Sequence, residues 1–517
     1  MVLSGEQLAS LDDVGPARRA PRTWRPRDPW VAVVGLVALA TYLLHGFQGL
    51  FSRDLGAYAY GARQVLAGEP PYVGIVNRAG PLAHLLPVPG ILAARAVGGD
   101  EVVGMRAWYL VFAVACVMVT YVVARGLFAS RAAGLAAAAT LLSFEGFLTL
   151  AVGGPREKTP MVLFILCAIW AMSHRRWLLT GVSISLATLT LQTALLPLLA
   201  GAVLAVVLTP SGERVRDLAR LAIGGALPVA VLLPYFAAYG AVRDFLDGFL
   251  LLNLRYSHGV PISARPVTVW HALQVGYGAS LWLLLAGLVL VVVVPLVRYL
   301  DPSTRHEPAT VTLVAVALVT VGSLLWTEVD YDSWEDMFTV LPLAALGIGA
   351  GTAWLLDRLP RQAARVVAVA VVVLPTALAV HFSVTARDHT LVEQRAVVDV
   401  LMADVPHARI WSIESPQSLV LARTVNPTRF QLLAQGLRRD VADRWAGGMP
   451  GFVAWNLAQH PDLVAVNGAE LRVGHWRSRI EPDYVPVAHS RGSYWFARRS
   501  LGPQVIDALR RDVAQVR

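Results

Sequence analysis

The stretch PLAHLLPVPGILAARAVGG, Pro81–Gly99, decides the architecture, because everything downstream depends on whether it crosses a membrane. It is apolar enough to be considered as a span. Yet Pro81, Pro87, Pro89 and Gly90 fall within ten residues, and proline both removes an intrahelical donor and clashes with the preceding turn. Charge placed further along the chain settles the matter. If 81–99 lies along or dips into the membrane, spans fall near 30–50, 106–126, 131–151, 159–173, 177–191, 193–209, 219–238, 270–297, 309–327, 337–356 and 365–383. The connections on one side then hold Arg125/Arg131, Arg175/Arg176, Arg214/Arg216/Arg220, Arg298/Arg305 and Arg358/Arg361/Arg365. On the other side, 328–336 holds Glu328, Asp330, Asp332, Glu335 and Asp336 with no basic residue. Arginine accumulates in cytoplasmic loops. Counting 81–99 as a crossing would reverse every one of these loops, so the expectation is about eleven transmembrane helices.

Composition agrees. Of 517 residues, 56% are hydrophobic and 15% charged, with a mean hydropathy of +0.55; soluble chains carry about 25% charged residues. Runs of roughly 20 apolar residues, enough to cross the hydrocarbon core, recur along most of the chain. The formal charge of +9 is what arginine-rich cytoplasmic loops produce, so no nucleic-acid partner is implied. Cys116 and Cys167 both sit in apolar runs and offer neither a disulfide framework nor a metal site.

Arg18, Arg19, Arg22, Arg25 and Arg27 precede the first apolar run and place segment 1–29 in the cytoplasm. That run is too long for a signal-peptide core and has no small-residue cleavage site behind it, which reads as a signal anchor. A membrane domain is expected over 30–384, with an outer loop at 51–105 that holds juxtamembrane helices. Eleven crossings leave the remainder, 385–517, outside. There the composition shifts: helix-like Val392–Met402, Phe430–Leu437 and Val441–Ala446 alternate with strand-like Ile410–Ile413, Leu463–Val466 and Tyr494–Arg498, which implies a small α/β domain.

Four polar segments gather on the outer side. In the first, Leu55, Tyr58, Ala62, Val65 and Leu66 share one helical face, as in an amphipathic helix at the membrane surface. Asp54 stands at its start, as a helix-capping carboxylate or as a reactive one. The second segment carries Arg156, Glu157 and Lys158 between two spans; Lys158 is the single lysine of the chain. A compact ammonium suits phosphate, while an interfacial cap of the two helices is the plainer alternative. The third, 239–269, and its border bring Arg243, Arg255, His258, Arg265 and His271 beside Tyr256 and Trp270, either to grip a lipid phosphate and its sugar or as interface anchors. The acidic run 328–336 offers oxygen ligands to a divalent cation but lacks EF-hand spacing; a solvated loop is the simpler reading.

The progression Asp54…Tyr58…Ala62, then Leu66-Ala67-Gly68-Glu69-Pro70-Pro71-Tyr72, then Arg78-Ala79-Gly80-Pro81-Leu82, with Arg106 entering the second span, resembles the GT-C superfamily of polytopic glycosyltransferases. This is the group of the dolichyl-phosphate-mannose–protein mannosyltransferases and the bacterial aminoarabinose transferases. Glu157 matches an acid often found in that family's second outer loop. Many members carry two adjacent acids in the first loop; here Leu55 follows Asp54, which leaves Asp54 as the single candidate there. The resemblance covers residues ~25–210 well and implies a GT-C-like fold. It also implies transfer of a sugar from a polyprenyl-phosphate carrier to an acceptor hydroxyl of a glycan, lipid or protein, on the outer face of the cytoplasmic membrane. Under it, Asp54 is the candidate base, with Glu157 beside it to orient the acceptor or pair with a cation. Arg156 and Lys158, with Arg255 and Arg265 in reserve, are candidates for the donor phosphate. Tyr58, Tyr72 and His258 are candidates for substrate contact.

A lipid-linked sugar transporter or flippase is the first rival, but such proteins bury ionisable groups mid-span and show inverted repeats. Here only Glu145 interrupts the spans as a notable charge, and the polar residues collect at one face. A non-catalytic envelope-assembly protein, and a polymerase or ligase acting on oligosaccharides, are further alternatives.

Overall fold

The computed structural model describes residues 28–516 apart from 210–211, 257–260, 435 and 474–475. Most of segment 1–29, and His258, therefore lie outside the described residues. A helical bundle is followed by a four-stranded α/β unit. The bundle helices are α1 (Pro29–His45), α3 (Glu101–Phe128), α4 (Arg131–Ser143), α5 (Glu145–Gly153), α6 (Lys158–Ser173), α7 (Trp177–Thr190), α8 (Leu195–Leu208), α9 (Arg214–Ala238), α10 (Pro266–Tyr277), α11 (Leu281–Leu300), α12 (Pro308–Val329), α13 (Leu341–Leu356) and α14 (Arg361–Thr385). Between α1 and α3 lies α2 (Arg53–Leu66). Among the described residues, five helices are long and apolar enough to cross a membrane, or six if one bent pair counts as a span. Shorter apolar helices of 10–17 residues accompany them. This is a multi-pass membrane protein.

The stretch 81–99 forms two short helices, Leu82–Leu85 and Val88–Ala96, divided at Pro87. Two expected spans are interrupted, and a third stretch holds the two short helices expected of it. The 131–151 run breaks at Phe144, and α4 and α5 meet at 68°. The 270–297 run breaks at Gly278, whose φ of 46° ends α10 before a 3₁₀ turn leads into α11. The two breaks abut: the Glu145 N–H donates to Ser280 Oγ (3.3 Å), so a group released by one break is satisfied at the other. Residues 177–209 hold α7 and α8, separated at 191–194.

In the C-terminal unit the sheet order is β1 (Ile410–Ile413), β2 (Leu463–Val466), β4 (Ser493–Arg498), β3 (Tyr484–Ser490). The first pair is parallel and the others antiparallel. Pro486 lies in β3, an edge strand, where a missing donor is tolerated. Helices α15 (Thr390–Asp404), α16 (Pro416–Ala422) and α17 (Pro503–Gln515) surround it. The helix expected at 430–437 is absent: 430–434 is irregular, and a helix begins only at Leu437.

Helix α2 is covered along most of both faces and not on its apolar face alone. Leu55, Gly56, Ala57, Tyr58, Ala59, Tyr60, Gly61, Ala62 and Gln64 are all buried. Leu55, Ala59, Tyr60 and Ala62 share a core with Leu391, Val397, Ile410, Leu419 and Trp495 of the C-terminal unit. Small residues permit this. A Cβ on Gly56 would stand 2.6 Å from the Gln417 Cα, and one on Gly61 would overlap the His84 ring at Nδ1. The helical period identified one apolar face; tertiary packing covered the other.

Candidate active site

Helix α2 is aimed by the segment before it. Arg106, fully buried on α3, donates to the carbonyls of Phe47, Gly49 (3.0 Å) and Leu50 (3.4 Å). From the C-terminal unit, Asp388 accepts from the Leu50 N–H (2.8 Å), and Gln394 exchanges two hydrogen bonds with the Phe51 backbone (3.0 Å each). The backbone of 47–51 is thus held from both sides ahead of the helix, and Asp54 follows in the first turn of α2.

The Asp54 carboxylate pairs with Arg53 (2.7 Å) and with Arg156. Arg156 reaches on to Glu157 (3.4 Å), and Arg53 reaches Glu414 in the C-terminal unit (3.0 Å). The result is a continuous chain of charges, Glu414–Arg53–Asp54–Arg156–Glu157. Gly154, at φ 120°, turns the backbone against the Arg106 side chain and presents Arg156 and Glu157 at the head of α6. Burial opposes ionisation of Asp54, but the Arg53 and Arg156 guanidiniums override it and hold the carboxyl well below the usual carboxylate range. The Tyr58 hydroxyl lies against Glu157, and burial together with that carboxylate pushes it well above its ordinary value. Asp54 keeps 29% of its side chain open, whereas Arg156, Glu157 and Lys158 keep 8%, 4% and 8%. Arg53 is equally open, and Glu414 keeps 2%, so Asp54 is the accessible carboxylate of this chain of charges.

Lys158 donates to Asp336 (2.7 Å), whose other oxygen accepts from the Asp332 and Ser333 N–H groups (2.8 and 3.1 Å). The acidic run is therefore not a solvated loop; it folds into the bundle mouth. Burial works against the Asp336 charge, yet Lys158 and these backbone donors hold its carboxyl below the ordinary value. Asp332 moves the other way, raised by burial and by Asp336 and Asp330. Among the described residues, no group of three or more His, Cys, Asp or Glu side chains is disposed to hold a metal ion.

Arg53, Asp54, Tyr58, Arg156, Glu157, Lys158, Asp332, Asp336 and Glu414 line one cavity of about 1030 Å³. Its floor includes the irregular 191–194 break. There the Gln192 amide donates to the Arg78 and Phe249 carbonyls (3.0 and 2.8 Å), and Asn253 donates to the same Arg78 carbonyl (3.0 Å). Non-helical backbone at membrane depth is tolerated where it lines a cavity. On one side the cavity runs out between α8 and α12 along Leu196, Leu318, Leu325, Trp326 and Val329, all of them exposed. A polar chamber thus opens into an apolar groove.

Of the residues expected from sequence, Asp54, Tyr58, Arg156, Glu157 and Lys158 come together in this cavity. Tyr72 does not: it is buried in an aromatic cluster, and its hydroxyl donates to the Ala79 carbonyl (2.8 Å). Arg255 is exposed and does not line the cavity. Arg265 is also off it, donating to the Tyr331 carbonyl and lying 5.9 Å from that ring's centre. Contributors not expected at this site include Arg53, Arg78, Gln192, Asn253 and Glu414, and the acidic run adds Asp330, Asp332, Glu335 and Asp336. Gln192-Thr193, a polar pair between two apolar runs, was a usable signal for one of them. Glu414, more than 350 positions from its partner Arg53, left none.

No family model matches the sequence, and no curated protein matches it. Two crystal structures of ArnT from Cupriavidus metallidurans are similar in fold. The apo form aligns with a TM-score of 0.63 at 15% identity, over 92% of this chain and 99% of that one. The form bound to undecaprenyl phosphate aligns with a TM-score of 0.59 at 15% identity, over 90% and 98%. Bundle and C-terminal unit together therefore have the fold of ArnT.

Proposed function

We propose that this protein is a membrane glycosyltransferase that moves a sugar from a polyprenyl-phosphate carrier to an acceptor hydroxyl on the outer face of the cytoplasmic membrane. The observation that carries the reading is one shared cavity, in which Asp54, Arg156, Glu157 and Lys158 face a chamber continuous with an exposed apolar groove. A polyprenyl-phosphate sugar has this shape: an apolar tail, an anionic link and a polar head. The tail fits the α8–α12 groove, and the phosphate fits the cations Arg53, Arg78, Arg156 and Lys158. The ArnT structure that holds undecaprenyl phosphate supports a donor of this class.

In the transfer, the acceptor oxygen bonds to the anomeric carbon as the bond from that carbon to the phosphate oxygen breaks. The acceptor proton passes to a carboxylate, for which Asp54 is the candidate and Glu157 its neighbour. The lipid phosphate leaves with its charge held by the cations. In the same reading the apolar helices make eleven crossings, with 1–29 cytoplasmic, 30–384 in the membrane and 385–517 outside. Transfer by the purified protein from a panel of radiolabelled polyprenyl-phosphate sugars tests it; donor binding with no transfer to any acceptor class would refute it.

A further inference from the structure

The mechanism above does not use Glu414, although its surroundings are those of a functional group. It follows β1 with a φ of 56°, a left-handed conformation that non-glycine residues seldom adopt. Its side chain is 2% exposed. One oxygen accepts from the Leu433 and Ala434 N–H groups, and its own N–H donates to the Gln431 carbonyl (2.7 Å). These contacts hang the irregular 431–434 segment, which contributes Leu432 and Ala434 to the cavity wall, on one carboxylate. The other oxygen takes Arg53 (3.0 Å), and Glu414 itself lines the cavity. Strained backbone that places a buried charge is a recurrent feature of working sites.

We infer that Glu414 is a positioning residue of the transfer site, dividing Arg53 between itself and Asp54 and so tying the C-terminal unit to the reacting carboxylate. The inference rests on the glycosyltransferase reading. Arg53 gives Nε and Nη2 to one Asp54 oxygen (2.8 and 2.7 Å) and Nη1 to Glu414 (3.0 Å), so the pull of Glu414 limits what it gives to an incoming phosphate. Without that pull, Arg53 becomes a better anion ligand and a heavier restraint on Asp54. Donor affinity and turnover then move in opposite directions, which a merely structural role does not produce.

The experiment uses the full chain in detergent, titrated with undecaprenyl phosphate. Glu414→Gln should bind it about three- to tenfold more tightly, since one negative charge has left the wall of an anion site. In an Arg53→Gln background the same substitution should change affinity by less than about twofold, the signature of coupled neighbours in a double-mutant cycle. Glu414→Asp, which keeps the charge, should retain wild-type affinity and reports on folding. In the transfer assay Glu414→Gln should lose about tenfold or more in kcat without a rise in KM. Weakened binding by Glu414→Gln while Glu414→Asp binds normally, or an equal effect in both backgrounds, overturns the inference. Wild-type protein that binds undecaprenyl phosphate yet transfers no sugar overturns the enzymatic reading instead, and wild-type protein that does not bind it overturns both.

Discussion

Replacing Asp54 by asparagine removes one charge and keeps the side chain's shape, so its consequences can be worked out from the contacts. Arg53 keeps Glu414 and Arg156 keeps Glu157, so neither guanidinium is left without a carboxylate. Hydrogen bonds to charged groups contribute about 1.5–3 kcal/mol each. With both cations still paired and Asp54 29% exposed, the net loss of stability should be only about 1–2 kcal/mol. Transfer should fall much further, by roughly 10²–10⁴, the usual contribution of a general base. The stability deficit also has a defined pH signature. The folded-state pKa of Asp54 is depressed, so its contribution is fully present above the ordinary carboxylate value of about 4 and is lost as pH falls below it. The difference in Tm between wild type and variant should therefore be flat from about pH 5 to 8 and shrink only in acid. Turnover measured with the active polyprenyl-phosphate sugar, beside Tm across pH, supplies both readouts. Activity within about threefold of wild type would remove Asp54 from proton transfer.

Lys158→Ala should weaken undecaprenyl phosphate binding by about tenfold or more by removing a cation from the chamber; unchanged affinity would leave Lys158 as the partner of Asp336 alone. Gly56→Val should loosen the C-terminal unit, because its side chain must occupy the position of the Gln417 backbone. Faster limited proteolysis after residue 386 would register this, and a wild-type digestion pattern would contradict the packing argument. In intact cells, cysteines introduced at positions 330 and 450 should react with an impermeant thiol reagent, while one at Ser303 should be protected; the reverse pattern would invert the proposed topology.

Much of this was legible in the sequence because hydropathy and arginine placement act locally. The apolar helices, the departure of 81–99 from a straight span, and the strands Ile410–Ile413 and Leu463–Val466 all follow from composition within a window. Asp54, Arg156, Glu157 and Lys158 were found because each interrupts an apolar pattern at a span's end. What escaped depends on distant neighbours. The second face of α2 is covered by residues more than 300 positions away, and no periodicity records that. The 430–437 segment has helix-like composition, yet its backbone donors are taken by Glu414 and it becomes cavity wall. The bend at Phe144 is compensated at Ser280, and neither stretch alone betrays it. Tyr72 fitted a family pattern, but its hydroxyl is spent on the Ala79 carbonyl.

The shared core of α2 and the C-terminal unit has a consequence for biosynthesis. Residues 53–66 leave the ribosome early, but the surfaces that cover them, including Leu391, Ile410, Leu419 and Trp495, are made last. Chains fold progressively as they emerge, so through most of translation Asp54 stands in an unfinished chamber without its roof. On the proposed function, competence arrives only with the final quarter of the polypeptide, and a chain truncated ahead of it should transfer no sugar.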